Sequence, residues 1–500
     1  MIVPAYEATF GASLGMLLEG HASIPSGLDR VVTAVCDDSR AVAPGALFFA
    51  RKGLRVDASR FADSAIASGA AAVVIEGGPM TVRLDAGAGG GRIPHVASAI
   101  GHAASRFYGD PSEHLAVAAV TGTNGKTSVT HFTAQACGER CAVMGTLGAG
   151  SPGKLENVAL TTPGPIEIHR RLAGLRDAGL DMLAMEVSSH ALDQRRIEAV
   201  DVDTAVFTNL SRDHLDYHSD MAAYARAKAS LFEVPSLAHA VVNVDDRFGR
   251  ELSGSLPRGI ESVPLTLADE RSPTAARPSV QGRITEMGQG LSLDVVSPWG
   301  SGALTTRLLG RFNAYNLLAA IAVACLHGHR LDAVLDRLHG IEPIVGRMQR
   351  IGGDSRPLVV VDYSHTPDAL RSALAALQPI CEGALWCVFG CGGERDRGKR
   401  PQMAEAAQGC ADRIIVTDDN PRGENGDAIV ADIMDGFARP DAVCVERDRG
   451  RAIHRAIAGA RASDVVLVAG KGHEVSQERD GARLPFSDVA VARHALEAWR

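Results

Sequence analysis

The chain has 500 residues, more than one compact core accommodates, so two to four domains are expected. Apolar residues make up 46% and charged residues 22%, the balance of an ordinary globular protein, and 51 Lys and Arg against 59 Asp and Glu leave a net charge of −8. With no strongly basic block, nucleic acid and anionic membrane have little support as partners.

No uncharged apolar run is long enough to cross a bilayer, and the N-terminus lacks the pattern of a secretory signal. Nine cysteines without metal-ligand spacing point to reduced thiols in a cytosolic protein. Cys387 and Cys391 flank a strand-to-turn transition.

Residues 1–112 read as a small α/β domain. Asp38-Ser39-Arg40 follows a short apolar segment, and Ala46 to Ala50 suits a strand. Phe61 to Ala71 suits a helix and Ala72 to Ile75 a further strand. The Asp38-Ser39-Arg40 triplet suits a solvated turn, or an anion contact. Phe107-Tyr108-Gly109-Asp110-Pro111 is a boundary, because glycine and proline end regular structure.

The region 113–342 opens on an apolar run, Leu115 to Val120, that breaks into Thr121-Gly122-Thr123-Asn124-Gly125-Lys126-Thr127. Strand, glycine-rich turn and helix start form a phosphate cradle. Backbone amides of Gly122, Thr123, Asn124 and Gly125 converge on an anion, the helix N-terminus adds its dipole, and Lys126 reaches the outer phosphates. Thr127 is placed to give a hydroxyl to magnesium. Val120 stands where the general phosphate-loop pattern has a glycine, so the match is a variant.

Downstream, the apolar run Met182 to Met185 ends on Glu186, which suits a magnesium ligand or water-orienting group, or else a helix-cap interaction. The segment Ser211 to His218 is densely polar. His214 and His218 would share a helical face, yet there is no HExxH and Arg212 adds positive charge, so one histidine completing a magnesium site is the better use. Lys228, on a predicted helix from Tyr224 to Phe232, either snorkels or is carbamylated near metal. Residues 281–308 fit an antiparallel excursion. Gly310 leads into a helix through Ala324, where Asn313 and Asn316 share a face toward a purine edge, unless Asn313 caps the helix.

In 343–500, four short apolar strands alternate with helical stretches, the rhythm of an open parallel sheet. Each delivers an unusual loop: Asp362 to Asp368, Gly392 to Arg400, Asp418 to Arg422 and Gly470 to Glu474. Ligands gather beyond strand carboxyl ends, so the four loops are expected to line one cleft. A nucleotide triphosphate follows from the phosphate loop. The reaction remains open between an ATP-driven ligase and a small-molecule kinase, with a motor disfavoured.

The segments TGTNGKT at 121–127, EVSSHALDQRR at 186–196, NLSRDHLDYH at 209–218 and GRFNAYNLLAA at 310–320 resemble the Mur ligase family. GRM at 346–348, DYSHTPDAL at 362–370 and GKGHE at 470–474 extend the resemblance over most of the chain. It implies an α/β protein of three domains: a UDP-substrate domain at 1–112, a central phosphate-loop ATPase domain at 113–342 and a Rossmann-like amino-acid domain at 343–500.

The implied reaction uses ATP and magnesium to add meso-2,6-diaminopimelate to UDP-N-acetylmuramoyl-L-alanyl-D-glutamate through an acyl phosphate, in peptidoglycan synthesis. By resemblance, Ser39 lies in the uridine-contact region, while Thr161, Thr162, Ser188, Gln194 and Arg196 contact the muramoyl dipeptide. Thr127, Glu186, His214 and Lys228, the last as a carbamate, serve the metal. Asn313, Arg347 and Asp362 hold adenine, phosphate and ribose respectively. The DNPR loop, Asp419-Asn420-Pro421-Arg422, together with Arg395, Gly470 and Glu474, selects diaminopimelate, since lysine lacks the distal carboxylate that Arg422 and Arg395 would grip. A lysine-adding relative, a folate-extending ligase and a degenerate, purely regulatory relative are the alternatives. A cytoplasmic, monomeric enzyme is expected.

Overall fold

The structure, a computed structural model, describes residues 11–52, 57–76, 96–267 and 279–499. Its three principal sheets follow one another along the chain. The first is parallel and three-stranded, with Ala34–Cys36, Ala46–Ala50 and Ala72–Ile75 in that order. The helix after Phe61 is shorter than its alanine content suggests. It spans Ala62–Ala67 behind a 3-10 turn and stops at Gly69, whose φ of +91° breaks the ladder.

The central sheet has eleven strands among the described residues. From one edge they run Gly300–Thr306, Leu291–Ser297, Val280–Met287, Glu261–Leu267, His239–Asn243, Thr204–Phe207, Ala116–Thr121, Met182–Glu186, Cys141–Gly145, Gly148–Ser151 and Lys154–Glu156. The seven from Val280–Met287 to Cys141–Gly145 are parallel, and antiparallel hairpins extend both edges, the first of them the expected excursion.

The phosphate-loop strand is apolar without alternation because both its faces are covered. Ala118 and Val120 join a core under the helices Lys126–Cys137 and Arg311–Leu326. Val117 and Ala119 join the opposite core with Ile168 and Leu172 of the helix Pro165–Asp177.

The third sheet repeats the device. Its order is Gln349–Gly352, Leu358–Asp362, Val465–Ala469, Leu385–Phe389, Arg413–Val416 and Cys444–Val445, all parallel except the first pair. Val360 and Leu467 face one core while Val359, Val361, Val466 and Val468 face the other. All nine cysteines are free. Among the described residues no helix is long and apolar enough to cross a membrane.

Candidate functional site

The phosphate loop leaves its strand at Thr121 and enters the helix Lys126–Cys137 through Gly125, at φ +92°. Gly122 sits at φ +144°, and a Cβ there would lie 1.8 Å from Thr208 Oγ1. Only glycine permits that approach. Thr208 and Asn209, from the end of the neighbouring strand, accept and donate hydrogen bonds along the loop: Thr208 Oγ1 donates to the Asn124 carbonyl at 2.6 Å, and Asn124 N donates to Asn209 Oδ1 at 2.9 Å. Lys126 folds over the loop and donates to the Gly122 and Thr123 carbonyls at 3.0 and 2.9 Å.

Thr127 Oγ1 donates to Glu186 Oε2 at 3.1 Å, and Arg347 Nη2 reaches Thr127 Oγ1 at 2.9 Å. Glu186 also accepts from Thr146 N at 2.8 Å, in a cradle where a Cβ on Gly145 would come within 2.2 Å of Glu186 Oε1. The helix-cap reading of Glu186 is therefore wrong: Ser188 caps the following helix, accepting from Ala191 N.

His214 and His218 lie on a single turn rather than a helix. His218 N donates to the His214 carbonyl at 2.9 Å, and His214 has φ +55°. His218 contacts Ser189 Oγ at 3.0 Å, away from the loop, whereas His214 stays by Asp213. Burial pushes the His214 ring down to about 3, although Asp213 acts to raise it, so the imidazole is neutral.

Lys228 is 1% exposed, does not snorkel, and donates to the Gly122 carbonyl at 2.7 Å. Burial, with the charge of Lys126 beside it, holds its amine well below the usual lysine range.

A magnesium ion fits this donor set: Thr127 and Glu186 offer adjacent oxygens, and magnesium commonly takes only one or two protein oxygens beside phosphate. Among the described residues no three His, Cys, Asp or Glu side chains cluster as a metal cage.

The cleft beside the loop holds about 970 Å³, part of it open to solvent, between Asn313, Asn316, Phe312, Arg347 and Asp362. Asn313 does not cap its helix. It donates to the Leu309 carbonyl at 2.8 Å and accepts from Asn316 at 3.0 Å. Asp362 Oδ1 accepts from Met348 N at 2.8 Å, fixing the turn that carries Arg347.

A second group forms after Glu186. Thr162 Oγ1 donates to the Glu186 carbonyl at 2.9 Å and accepts from Ser188 N at 3.1 Å. Arg196 donates to the Thr162 carbonyl at 2.7 Å and to Gln194 Oε1, while Thr161 Oγ1 lies 3.1 Å from Thr146 Oγ1. Ser39 belongs to neither group. It sits in a 3-10 turn capped by Asp38, which also pairs with Arg40.

The four loops of the third sheet converge. Gly393 N donates to the Asn420 carbonyl at 2.9 Å, and Arg422 Nη1 to the Gly393 carbonyl at 2.8 Å. Arg395 and Arg422 flank Gly392: a Cβ built there would lie 2.9 Å from Arg422 Nη1 and 3.7 Å from Arg395 Cγ. Gly470, at φ +117°, packs against Asp419, and Asn420 Nδ2 donates to Glu474 Oε2 at 2.8 Å. Pro421 lies within this loop, its carbonyl against Gly393.

Sequence reasoning missed the joint between the two larger regions. Asp213, 4% exposed, faces Lys399 at 3.3 Å, His365 at 3.4 Å and His214 at 3.4 Å. Burial alone would raise its carboxyl, but Lys399 and His365 hold it well below the carboxylate range. Arg212 makes a two-pronged pair with Asp396 at 2.9 and 3.0 Å. The signal was present as opposite charges in Arg212-Asp213 and Asp396 to Lys399, 184 and 186 residues apart, but nothing in one sequence pairs segments that distant.

Three family models match the chain, all of Mur ligases: the catalytic domain over residues 31–108, the middle domain over 120–324 and the glutamate ligase domain over 346–472. A Pseudomonas aeruginosa protein named UDP-N-acetylmuramoyl-L-alanyl-D-glutamate–2,6-diaminopimelate ligase is 48% identical over 484 residues, covering 94% of this chain and 96% of that one. A Pseudomonas putida protein of the same name is 47% identical over 490 residues, covering 96% and 97%. A solved structure bearing that name aligns with TM-score 0.68 and 36% identity, covering 98% of this chain and 99% of the other.

Proposed function

From the premise that the chain belongs to the Mur ligase family, we propose that it joins meso-2,6-diaminopimelate to the D-glutamyl γ-carboxylate of UDP-N-acetylmuramoyl-L-alanyl-D-glutamate, driven by ATP, in peptidoglycan precursor synthesis. One observation carries the choice of amino acid: the Arg422 guanidinium and the Arg395 stem flank Gly392, while Asn420 and Glu474 are hydrogen-bonded in the neighbouring loops. A ligand with a distal carboxylate and a distal ammonium satisfies both ends of such a pocket. Arg422 and Arg395 have only long contacts to Glu478 and Asp216, at 3.6 and 4.0 Å, so a distal carboxylate would gain charge-assisted bonds that lysine cannot make.

The regions 1–112, 113–342 and 343–500 are assigned to the uridine end, the nucleotide and the amino acid. ATP lies with its base against Asn313 and its ribose toward Asp362, and the loop amides and Lys126 receive its phosphates. Lys126 then leaves its own carbonyl partners, an exchange that costs little because the phosphate is the stronger acceptor. Thr127, Glu186, His214 and Lys228 are the residues that would hold magnesium, which when bound offsets charge on the transferring phosphoryl group. A neutral, buried Lys228 is the form of lysine that adds carbon dioxide, giving a carbamate whose oxygens replace a badly placed amine.

Thr161, Thr162, Ser188, Gln194 and Arg196 hold the dipeptide with its γ-carboxylate toward the loop. The carboxylate takes the γ-phosphoryl group of ATP, ADP stays bound, and the amine attacks the acyl phosphate. The tetrahedral intermediate expels phosphate and leaves the amide. Arg212–Asp396 and Asp213–Lys399 keep the third region docked so that water is excluded. A cytoplasmic, monomeric enzyme is part of the same reading.

The test is competition: enzyme, ATP and the UDP-dipeptide with equimolar diaminopimelate and lysine, the product read by mass. Incorporation of diaminopimelate is expected. A lysine adduct refutes the substrate, and ATP hydrolysis without any adduct refutes the ligase.

A further inference from the structure

Lys471, whose side chain is fully buried, lies in the turn after the strand Val465–Ala469. Its Nζ donates to Glu474 Oε2 at 2.7 Å and to Asn420 Oδ1 at 2.9 Å, and lies 3.7 Å from Asp419 Oδ1. Asn420 closes the ring through its amide to the same Glu474 oxygen. That oxygen therefore accepts twice, while Glu474 Oε1 accepts from none of the described residues and its side chain is 29% exposed. Asp419 Oδ1 is buried with no hydrogen-bond partner. Two carboxylates thus face one ammonium, and of their oxygens Glu474 Oε1 is the unpartnered one on a partly exposed side chain.

We infer that Lys471 is a positioning residue for amino-acid recognition: it ties Glu474 to Asn420 through Glu474 Oε2, so that the partly exposed Glu474 is held in place with Oε1 free to receive the ligand's distal ammonium. Without it, Glu474 loses its tether, and the carboxylate that meets the ligand is no longer fixed in one geometry. This inference rests on the proposed use of a zwitterionic amino acid.

The experiment compares the full-length wild type with Lys471→Met, Lys471→Gln, Glu474→Gln and the double variant Lys471→Met/Glu474→Gln. Steady-state ADP release is followed with the UDP-dipeptide saturating and diaminopimelate or ATP varied. Lys471→Met is expected to raise the diaminopimelate KM about tenfold or more, with the ATP KM within about twofold, because the interaction lost is with the amino acid alone. Lys471→Gln, which keeps a donor, falls between. The double variant is no worse than the poorer single one, since Lys471 acts through Glu474.

An unchanged or lowered diaminopimelate KM overturns the inference, as do equal losses for both substrates, multiplying effects in the double variant, or failure of both Lys471 variants to fold. A wild type that uses another amino acid refutes only the substrate assignment, and Lys471 is then scored on the KM for that amino acid.

Discussion

Asp213→Asn removes one charge from the joint between the middle and third regions and almost nothing else. The asparagine keeps an oxygen to accept from His214 N, which donates to Asp213 Oδ1 at 2.9 Å. Lys399, 6% exposed, is left without its carboxylate partner at 3.3 Å. At that separation and an effective dielectric of about 20, the attraction is about 5 kcal/mol before desolvation is counted. Breaking such a buried pair on one side costs about 3 kcal/mol, equivalent to about 150-fold in kcat/KM if docking is needed for turnover.

The assay is a double-mutant cycle on kcat/KM for ligation, using Asp213→Asn, Lys399→Met and both together. Each single change should cost heavily, and the double should cost little more than either, giving a coupling of about 3 kcal/mol. Effects that simply multiply would show that the two groups act independently and would refute the joint.

His169, wholly buried, has its ring pushed down to about 4 by burial, against the raising effect of the Glu198 carbonyl. The unfolded chain takes up a proton below about 6.5 while the folded ring stays neutral, so this contribution is present above that pH and is lost as pH falls toward 4. Between pH 7 and 5 the wild type should lose about 2 kcal/mol more stability than His169→Leu, measured by urea unfolding; equal losses would contradict it. Lys228→Ala should lower kcat about 10³-fold, with partial recovery in added acetate, which supplies the missing carboxylate; full activity without it would exclude the carbamate. Arg422→Ala should raise the diaminopimelate KM at least about tenfold and leave the ATP KM unchanged, and an unaffected amino-acid KM would remove Arg422 from the clamp.

The apolar runs were legible because strands covered on both faces cannot alternate, so Ala116 to Val120 and Leu358 to Val361 announce themselves. The loops at their carboxyl ends were legible for the same reason, since a parallel sheet sends its polar residues there. Local spacing failed where the backbone leaves the common conformations. His214 at φ +55° turns a four-residue interval into a tight turn, which no count of intervals reveals.

It failed also for Lys471. The residue sits inside a recognised motif, yet its burial depends on a hydrogen bond to Asn420 Oδ1, 51 positions earlier, which no local pattern reveals. Asp213 and Lys399 were hidden by the same circumstance, complementary charges on a loop and a helix 186 positions apart.

Labelling the D-glutamyl γ-carboxylate with heavy oxygen tests the phosphoryl-transfer claim most directly. During turnover with ATP and diaminopimelate, one labelled oxygen should pass into each inorganic phosphate released, because the carboxylate oxygen that accepts the phosphoryl group leaves with it. Amide formation with phosphate free of label would contradict the acyl phosphate and the site built around it.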